Sequence, residues 1–183
     1  MAIARLTIDN TVLLIVDLQE RLLPVIDERE RVVGQSGRLI DGCGVLGVPM
    51  LATEQYRKGL GATVPEIADR WPAGTKVTEK LKFSACVEPV RRALADLGRR
   101  TVLICGVETH VCVMQTALEL ADNGYVVAVA ADAVGSRRAS DRALALGRMT
   151  QAGVVAVSVE MALLEMVHEA GTDRFRSILP IIK

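Results

Sequence analysis

The sequence contains few aromatic residues and has no excess of charge of either sign. Aromatic side chains make up 3% of the 183 residues, and 22 lysines and arginines balance 22 aspartates and glutamates. Proteins that bind single-stranded nucleic acid stack bases on aromatic rings, and basic surfaces attract the phosphates. The composition therefore argues against a nucleic-acid partner, and the zero net charge gives no attraction to an anionic membrane.

Two glycine-rich motifs are also missing from the positions at which they mark nucleotide sites. No GxGxxG connects the first apolar run to the helix that follows it, since the GxGxxG at residues 42–47 falls at the end of the predicted helix 29–46, and no GxxxxGK[ST] occurs anywhere in the chain. The first motif is the fingerprint of a dinucleotide-binding fold, and the second cradles phosphates in P-loop proteins. Both classes of cofactor site are therefore unexpected here.

Membrane and secretory signals are absent from the sequence as well. Nothing resembles a secretory leader, and no apolar run is long enough to cross a bilayer. The four cysteines are scattered and form no CxxC pair. Unpaired, reduced thiols are typical of the cytoplasm, so we expect a cytoplasmic protein that makes no membrane contact.

The order of apolar runs and amphipathic stretches predicts the fold. The run at residues 11–16, TVLLIV, is continuously apolar, which is typical of a strand covered on both faces in a parallel sheet. Further strands are predicted at 48–54, 76–79, 101–105, 125–130 and 154–158, with helices at 29–46, 63–69, 87–97, 110–124, within 136–153 and at 160–169. This alternation predicts a single α/β domain over residues 1–183, a three-layer αβα structure with a six-stranded, mostly parallel sheet in the order 3-2-1-4-5-6.

Three residues of complementary chemistry fall at one edge of that sheet. Asp17 ends the first strand, Lys80 follows the third, and Cys112 lies at the start of the helix after the fourth. Ligands of open parallel sheets bind outside the carboxyl ends of the strands. Free N–H groups at a helix start favour a thiolate and can hold an oxyanion. Spacing alone also fits a buried packing cysteine, which is the commoner role of a free thiol.

Three motifs carry a resemblance to a known family. They are LLIVDLQ at 13–19, EKLKFSA at 79–85 and GVETHVCVMQTA at 106–117, and together they resemble the isochorismatase-like cysteine hydrolases. The family's catalytic Asp, Lys and Cys fall on Asp17, Lys80 and Cys112. Two further segments, at 53–66 and 132–153, look like the subgroup of isochorismatase domain-containing proteins.

The resemblance implies a mechanism for a small-molecule substrate. Cys112 is the nucleophile that attacks an amide-type carbonyl and forms a thioester, Asp17 accepts the thiol proton, and Lys80 helps to hold the thiolate. Backbone N–H groups of Cys112 and of Glu108 bind the oxyanion. In the family a cis peptide precedes the cysteine, and here it is expected between Val107 and Glu108.

Other residues near these motifs receive lesser roles. Gln19, Tyr56 and Phe83 are the predicted substrate contacts, and Glu54 and Gln55 are expected to shape the substrate end of the pocket together with Tyr56. Lys82 rivals Lys80, but the interval to the Phe-Ser pair favours Lys80. His110 is two residues from Cys112 on the predicted helix, and since such residues do not face each other, we expect it to form a pocket wall rather than a Cys–His pair.

Neither a metal nor another cofactor is expected. Nicotinamidases of this superfamily hold a metal through an Asp-x-His…His arrangement after the second strand, whereas residues 53–61 of this chain contain no histidine. Two other functions remain open, which are ether cleavage of the isochorismatase type and a non-catalytic interaction protein on the same fold. The family favours a homo-oligomer, with the apolar tail at 175–182 and the helix within 136–153 as possible contact surfaces.

Overall fold

A six-stranded parallel sheet forms the centre of the protein. The computed structural model describes residues 5–183. The strands are β1 Thr11–Val16, β2 Met50–Gln55, β3 Lys76–Lys80, β4 Thr101–Val107, β5 Val126–Gly135 and β6 Val155–Val157. Every pairing between them is parallel, and the order is β3-β2-β1-β4-β5-β6. The α/β class and the predicted strand order are both confirmed.

Helices cover both faces of the sheet, which confirms the three-layer arrangement. They are α1 Arg29–Leu46, α2 Arg57–Leu60, α3 Pro65–Ala68, α4 Glu88–Leu97, α5 Met114–Asp122, α6 Ala139–Gln151, α7 Val159–Val167 and α8 Asp173–Ile182. Helices α1, α7 and α8 pack on one face, and α4, α5 and α6 pack on the other. A 3-10 turn at Leu23–Val25 and a π-helical turn at Thr109–Val113 complete the elements of the described chain.

The position of β1 at the centre of the sheet explains why its sequence is uninterruptedly apolar. All six of its residues are buried. Leu13 and Ile15 contribute to the core under α1 and α7, while Leu14 and Val16 contribute to the core under α4 and α5. Successive side chains of a strand point to opposite faces, so a strand with helices on both sides needs apolar residues at every position.

Several predicted boundaries were wrong. Strand β5 runs to Gly135 instead of residue 130, because after an irregularity it pairs again with Gly106 and Val107 of β4. The chain end that was predicted as an apolar tail is helix α8, which packs on α1. Its first turn is capped by Thr172, whose side chain accepts a hydrogen bond from the Phe175 N–H, so a polar cap outside the apolar run starts this helix.

Gly106 allows the two central strands to approach each other at the site edge. It pairs with Val16 and adopts a φ of 120°, a left-handed value that disfavours other residues. A Cβ atom at this position would lie 2.0 Å from the carbonyl oxygen of Val16. No side chain fits there without displacing the strand end that carries Asp17.

We therefore predict that Gly106→Ala lowers the free energy of unfolding by at least about 2 kcal/mol, because it combines a steric clash with backbone strain. The matched control is Gly34→Ala on α1, where an added Cβ meets no atom within 4 Å. That substitution should raise stability by about 0.5–1 kcal/mol through helix propensity. Urea unfolding of both variants checks the prediction, and equal stability changes would contradict it.

Candidate active site

The structure brings Asp17 and Lys80 into a fully buried ion pair. Lys80 Nζ lies 2.7 Å from Asp17 Oδ2, and neither side chain has any exposed surface. Asp17 follows the last residue of β1, whereas Lys80 is the last residue of β3. Because β2 lies between these two strands and stops at the same edge, its end lies next to both residues.

The end of β2 holds both members of the pair. Thr53 donates its hydroxyl to Asp17 Oδ1 at 2.7 Å, and its backbone carbonyl accepts the Asp17 N–H at 3.1 Å. Gln55 Oε1 accepts from Lys80 Nζ at 2.7 Å, and its Nε2 donates to the Leu81 carbonyl at 2.8 Å. The Lys80 ammonium also donates to the Phe83 carbonyl at 3.0 Å. Every proton of the ammonium thus has an acceptor, which is what a buried cation requires.

The side chain of Gln19 connects the end of β2 to the loop that follows it. Its Oε1 accepts the backbone N–H of Gln55 at 2.7 Å, and its Nε2 donates to the carbonyls of Gln55 and Gly61 at 3.0 and 2.7 Å. The side chain is fully buried. Its amide is already engaged with the backbone, so the structure gives Gln19 a supporting position; its predicted contact with substrate is untested.

Cys112 lies on the π-helical turn and not on a regular helix start. It is 5% exposed. The Thr116 hydroxyl donates to the Cys112 carbonyl at 2.6 Å and accepts the Ala85 N–H at 2.8 Å. Thr116 thereby fastens the cysteine-bearing turn to the segment that follows Lys80. The predicted helix from residue 110 is in fact this turn followed by α5.

The thiol of Cys112 is protonated at rest. Burial is the largest cause that raises its pKa, to about 12, and the Asp17 carboxylate raises it further by its charge. The Lys80 ammonium opposes both effects and lowers the pKa. Burial therefore works against the thiolate that a helix start would favour, because a charged sulfur loses its hydration in the buried site.

The segment before Cys112 has the predicted backbone form. The peptide bond between Val107 and Glu108 is cis. The Glu108 carboxylate accepts from Arg137 Nε at 3.0 Å and from the Arg137 backbone N–H at 3.2 Å. His110 Nδ1 lies 3.0 Å from the hydroxyl of buried Ser136. The side chains of Glu108 and His110 are thus held by the segment that leads into α6.

The rim of the site is apolar and open. Phe83 and Tyr56 are both about half exposed, and Leu81 is 73% exposed. Lys82 is exposed, so the structure brings Lys80 and not Lys82 to Asp17. Tyr56 and Phe83 remain candidate substrate contacts, since they follow the ends of β2 and β3 at the edge that carries the ion pair.

The remaining thiols are buried in the core, and Cys86 Sγ lies 3.9 Å from the backbone carbonyl of Thr116. Cys43, Cys86 and Cys105 are buried and free. Burial raises the pKa of Cys86 to about 11 and that of Cys105 to about 12. Within residues 5–183 no group of three or more His, Cys, Asp and Glu side chains is placed to hold a metal ion. In the same part of the chain no helix is long and apolar enough to span a membrane.

Sequence reasoning missed two supporting residues, Thr53 and Thr116, and it placed Gln55 at the substrate end of the pocket and not on Lys80. Their signal was present, since Thr53 and Gln55 are polar residues at the end of a buried strand and Thr116 is one turn beyond Cys112. A polar side chain in such a position is hydrogen-bonded in most native structures.

Known proteins share this fold and much of this sequence. The family model of the isochorismatase domain matches residues 11–161. Isochorismatase domain-containing protein 2 of Danio rerio is 39% identical over 98% of this chain and 90% of its own length. The MAR1 ribonuclease of Caenorhabditis elegans superposes with a TM-score of 0.94 at 36% identity, covering 98% of this chain and 92% of its own. The Escherichia coli YcaC protein, described as an octameric hydrolase of unknown specificity, superposes with a TM-score of 0.92 at 25% identity, covering 100% and 91%.

The pKa of Cys112 can be tested by its rate of alkylation. In the wild type, labelling by iodoacetamide should keep accelerating above the pH at which glutathione in the same mixture levels off, because burial keeps the thiol protonated. Asp17→Asn removes a charge that raises the pKa and should shift the profile to lower pH, whereas Lys80→Met should shift it to higher pH. Peptide mass spectrometry resolves Cys112 from the other thiols. A wild-type profile that levels off below glutathione would contradict the resting thiol.

Proposed function

The chain belongs to the isochorismatase family of hydrolases, and on that basis we propose that it is a cysteine-dependent hydrolase that cleaves an amide-type C–N bond in a small molecule through a thioester. The buried Asp17–Lys80 pair beside the Cys112 thiol is the observation on which this proposal rests. No cofactor takes part in the proposed reaction.

The acylation step follows from the protonation states of the three groups. Burial favours the thiol form of Cys112, so its attack needs a base, and Asp17 is the carboxylate whose charge acts on it. Asp17 takes the proton while Cys112 Sγ bonds to the substrate carbonyl carbon and the carbonyl π electrons move to oxygen. The tetrahedral intermediate then collapses, the C–N bond breaks, and Asp17 returns the proton to the leaving amine. The products of this half-reaction are a thioester and a free amine.

Deacylation reverses the roles of the same groups. The Asp17 carboxylate removes a proton from water as the water oxygen bonds to the thioester carbon. Collapse of the second tetrahedral intermediate breaks the C–S bond, releases a carboxylic acid and regenerates the Cys112 thiol with the proton held by Asp17. The site returns to its starting state.

Lys80 lowers the free-energy cost of the proton transfer from Cys112 to Asp17. At rest its positive charge is paired with the Asp17 carboxylate at 2.7 Å. When Asp17 takes the proton it becomes neutral, and the negative charge passes through the sulfur, on which Lys80 also acts, to the substrate oxygen as the S–C bond forms. The site thus holds one negative charge with the ammonium before and after the transfer, so it never holds an uncompensated charge.

Substrate binding is assigned to the turn and the rim. The backbone N–H groups of Cys112 and Glu108 are the proposed donors to the oxyanion, in the arrangement that acyl transfer requires. Tyr56 and Phe83 are proposed to contact the substrate from the rim, where their exposed rings offer apolar surface. An apolar or aromatic acyl group fits such a rim.

The proposal extends to the assembly and the setting of the protein. We propose a homo-oligomer, in line with the octamer described for YcaC of Escherichia coli. We also propose a cytoplasmic location, which suits four free thiols. A ribonuclease activity, after the name of the Caenorhabditis elegans relative, is less well supported, because balanced charge and 3% aromatic residues offer little to RNA.

A substrate screen with active-site variants tests the reaction. A panel of small primary and secondary amides, esters and vinyl ethers is assayed with the wild type, Cys112→Ala, Asp17→Asn and Lys80→Met. We expect amide hydrolysis whose kcat/KM falls by about 10³-fold or more in each variant, since members of a catalytic unit fail together. Lys82→Met removes an exposed lysine two residues from Lys80 and should stay within twofold of the wild type.

Acid-quenched wild-type enzyme should carry the acyl group on the Cys112 peptide, with the mass of the substrate less its amine. Full activity of Cys112→Ala on vinyl ethers would instead support ether hydrolysis without a covalent intermediate. Absence of activity on the whole panel, together with no acylation of Cys112, would support the non-catalytic interaction protein.

A further inference from the structure

Helix α6 presents an apolar face to solvent. Leu144 is 74% exposed, although leucine is among the residues most often buried. Around it an open concavity of about 800 Å³ is lined by Ser140, Ala143, Leu144, Gly147, Arg148 and Gln151. The opposite side of the helix is covered, since Ala145 and Met149 are buried in the core. An exposed leucine in a concave, mostly small-residue setting is typical of a contact surface.

The spacing on this face is self-complementary. Ser140, Leu144, Gly147 and Gln151 fall on one side of the helix at the 3.6-residue period. If a second α6 runs antiparallel, with the crossing point between residues 145 and 146, Leu144 of each copy lies opposite Gly147 of the other. Ser140 then lies opposite Gln151. A Cβ atom added to Gly147 meets no atom within 4 Å, so the space that receives the leucine is empty in one copy.

The charges along one flank of the face have the same symmetry. Asp141 and Arg148 are two helical turns apart, with Leu144 and Ala145 between them. In the described part of the chain, neither forms an ion pair. A two-fold axis that relates antiparallel helices keeps a flank on the same side of the interface. Asp141 of each copy therefore approaches Arg148 of the other, and two ion pairs form where none exists in one copy.

We propose that this face of α6 is the contact between two copies of the chain, related by a two-fold axis. The inference rests on the homo-oligomer of the proposed function and assigns a surface to it. The partner is a second copy and not a different protein, because one two-fold rotation satisfies every feature of the face. It places the exposed leucine of each copy in the space beside the glycine of the other, and it places each acidic residue opposite the basic residue of the other copy. Isologous contacts of this kind are the commonest in soluble oligomers.

The proposed contact lies beside the catalytic turn. Helix α6 packs on the π-helical turn that carries Cys112. Between them is a depression of about 220 Å³ lined by His110, Met114, Asp141, Leu144, Ala145 and Arg148. A second copy on α6 covers this depression and excludes water from it, so the contact would also shield one side of the turn that carries Cys112.

Light scattering after size-exclusion chromatography tests the surface. The wild type should have at least twice the mass of one chain. Leu144→Asp places a charge in the apolar contact and should reduce the mass by a factor of two or more. Leu81→Asp, the matched control, changes a leucine of nearly equal exposure at the rim of the site and should leave the mass unchanged.

Charge reversal tests the symmetry itself. Asp141→Arg and Arg148→Asp each replace the two opposite-charge contacts with like-charge contacts, so each variant alone should lose the association. An equimolar mixture restores both ion pairs, because one variant is positive at both positions and the other is negative at both. The mixture should recover the wild-type mass, and rising salt should weaken it. Recovery on mixing also shows that both variants are folded.

Three results would overturn the inference. A wild type with the mass of a single chain at all concentrations removes the oligomer and the surface together. A wild-type oligomer that persists in Leu144→Asp and in both charge variants keeps the homo-oligomer but excludes α6. Failure of the two charge variants to associate on mixing excludes the two-fold contact, whatever the mass of Leu144→Asp. None of these results bears on acylation of Cys112, which the substrate screen decides.

Discussion

A buried ion pair between Asp17 and Lys80 sets the requirements for the rest of the site. Removal of two charges from water is expensive, and loss of one partner of such a pair costs about 3–5 kcal/mol. The fold meets this cost with Thr53 on the carboxylate and with Gln55 and a backbone carbonyl on the ammonium. Thr53 and Gln55 come from β2, which lies between the strands of the two charges, and the carbonyl is that of Phe83 just after β3.

The same network explains why polar residues can occupy the end of an otherwise apolar core. The side-chain amide of Gln19 forms hydrogen bonds with both the backbone N–H and the backbone carbonyl of Gln55, as a neighbouring strand would. The Gln55 side chain is then free to accept a hydrogen bond from Lys80. Thr116 performs the equivalent task for the turn of Cys112. Each of these residues acts on a group that carries charge in the proposed reaction, or on the turn that holds the proposed nucleophile. Rigid support of this type keeps reacting groups within the narrow distances that catalysis demands.

Much of this arrangement could be predicted from the sequence, for clear physical reasons. The uninterrupted apolar run of β1 required helices on both sides, and the parallel sheet then placed the strand ends that bear Asp17 and Lys80 at one edge. Other features depend on contacts that sequence period does not encode. The extension of β5 depends on renewed pairing with β4, and helix α8 depends on packing against α1. The pKa of Cys112 depends on how much water the fold removes, which a motif cannot specify.

The protonated state of the Cys112 thiol affects how readily cellular oxidants can modify it. Peroxides and weak electrophiles attack thiolates, and exposed cysteines of low pKa are the first to be converted to sulfenic and sulfinic acids. A thiol that is 5% exposed and ionises only near a pKa of about 12 offers them little to attack. In the proposed reaction, Cys112 becomes reactive when a substrate fills the site and Asp17 takes the proton. The enzyme proposed here thus separates its substrates from oxidants by burial and protonation of the thiol.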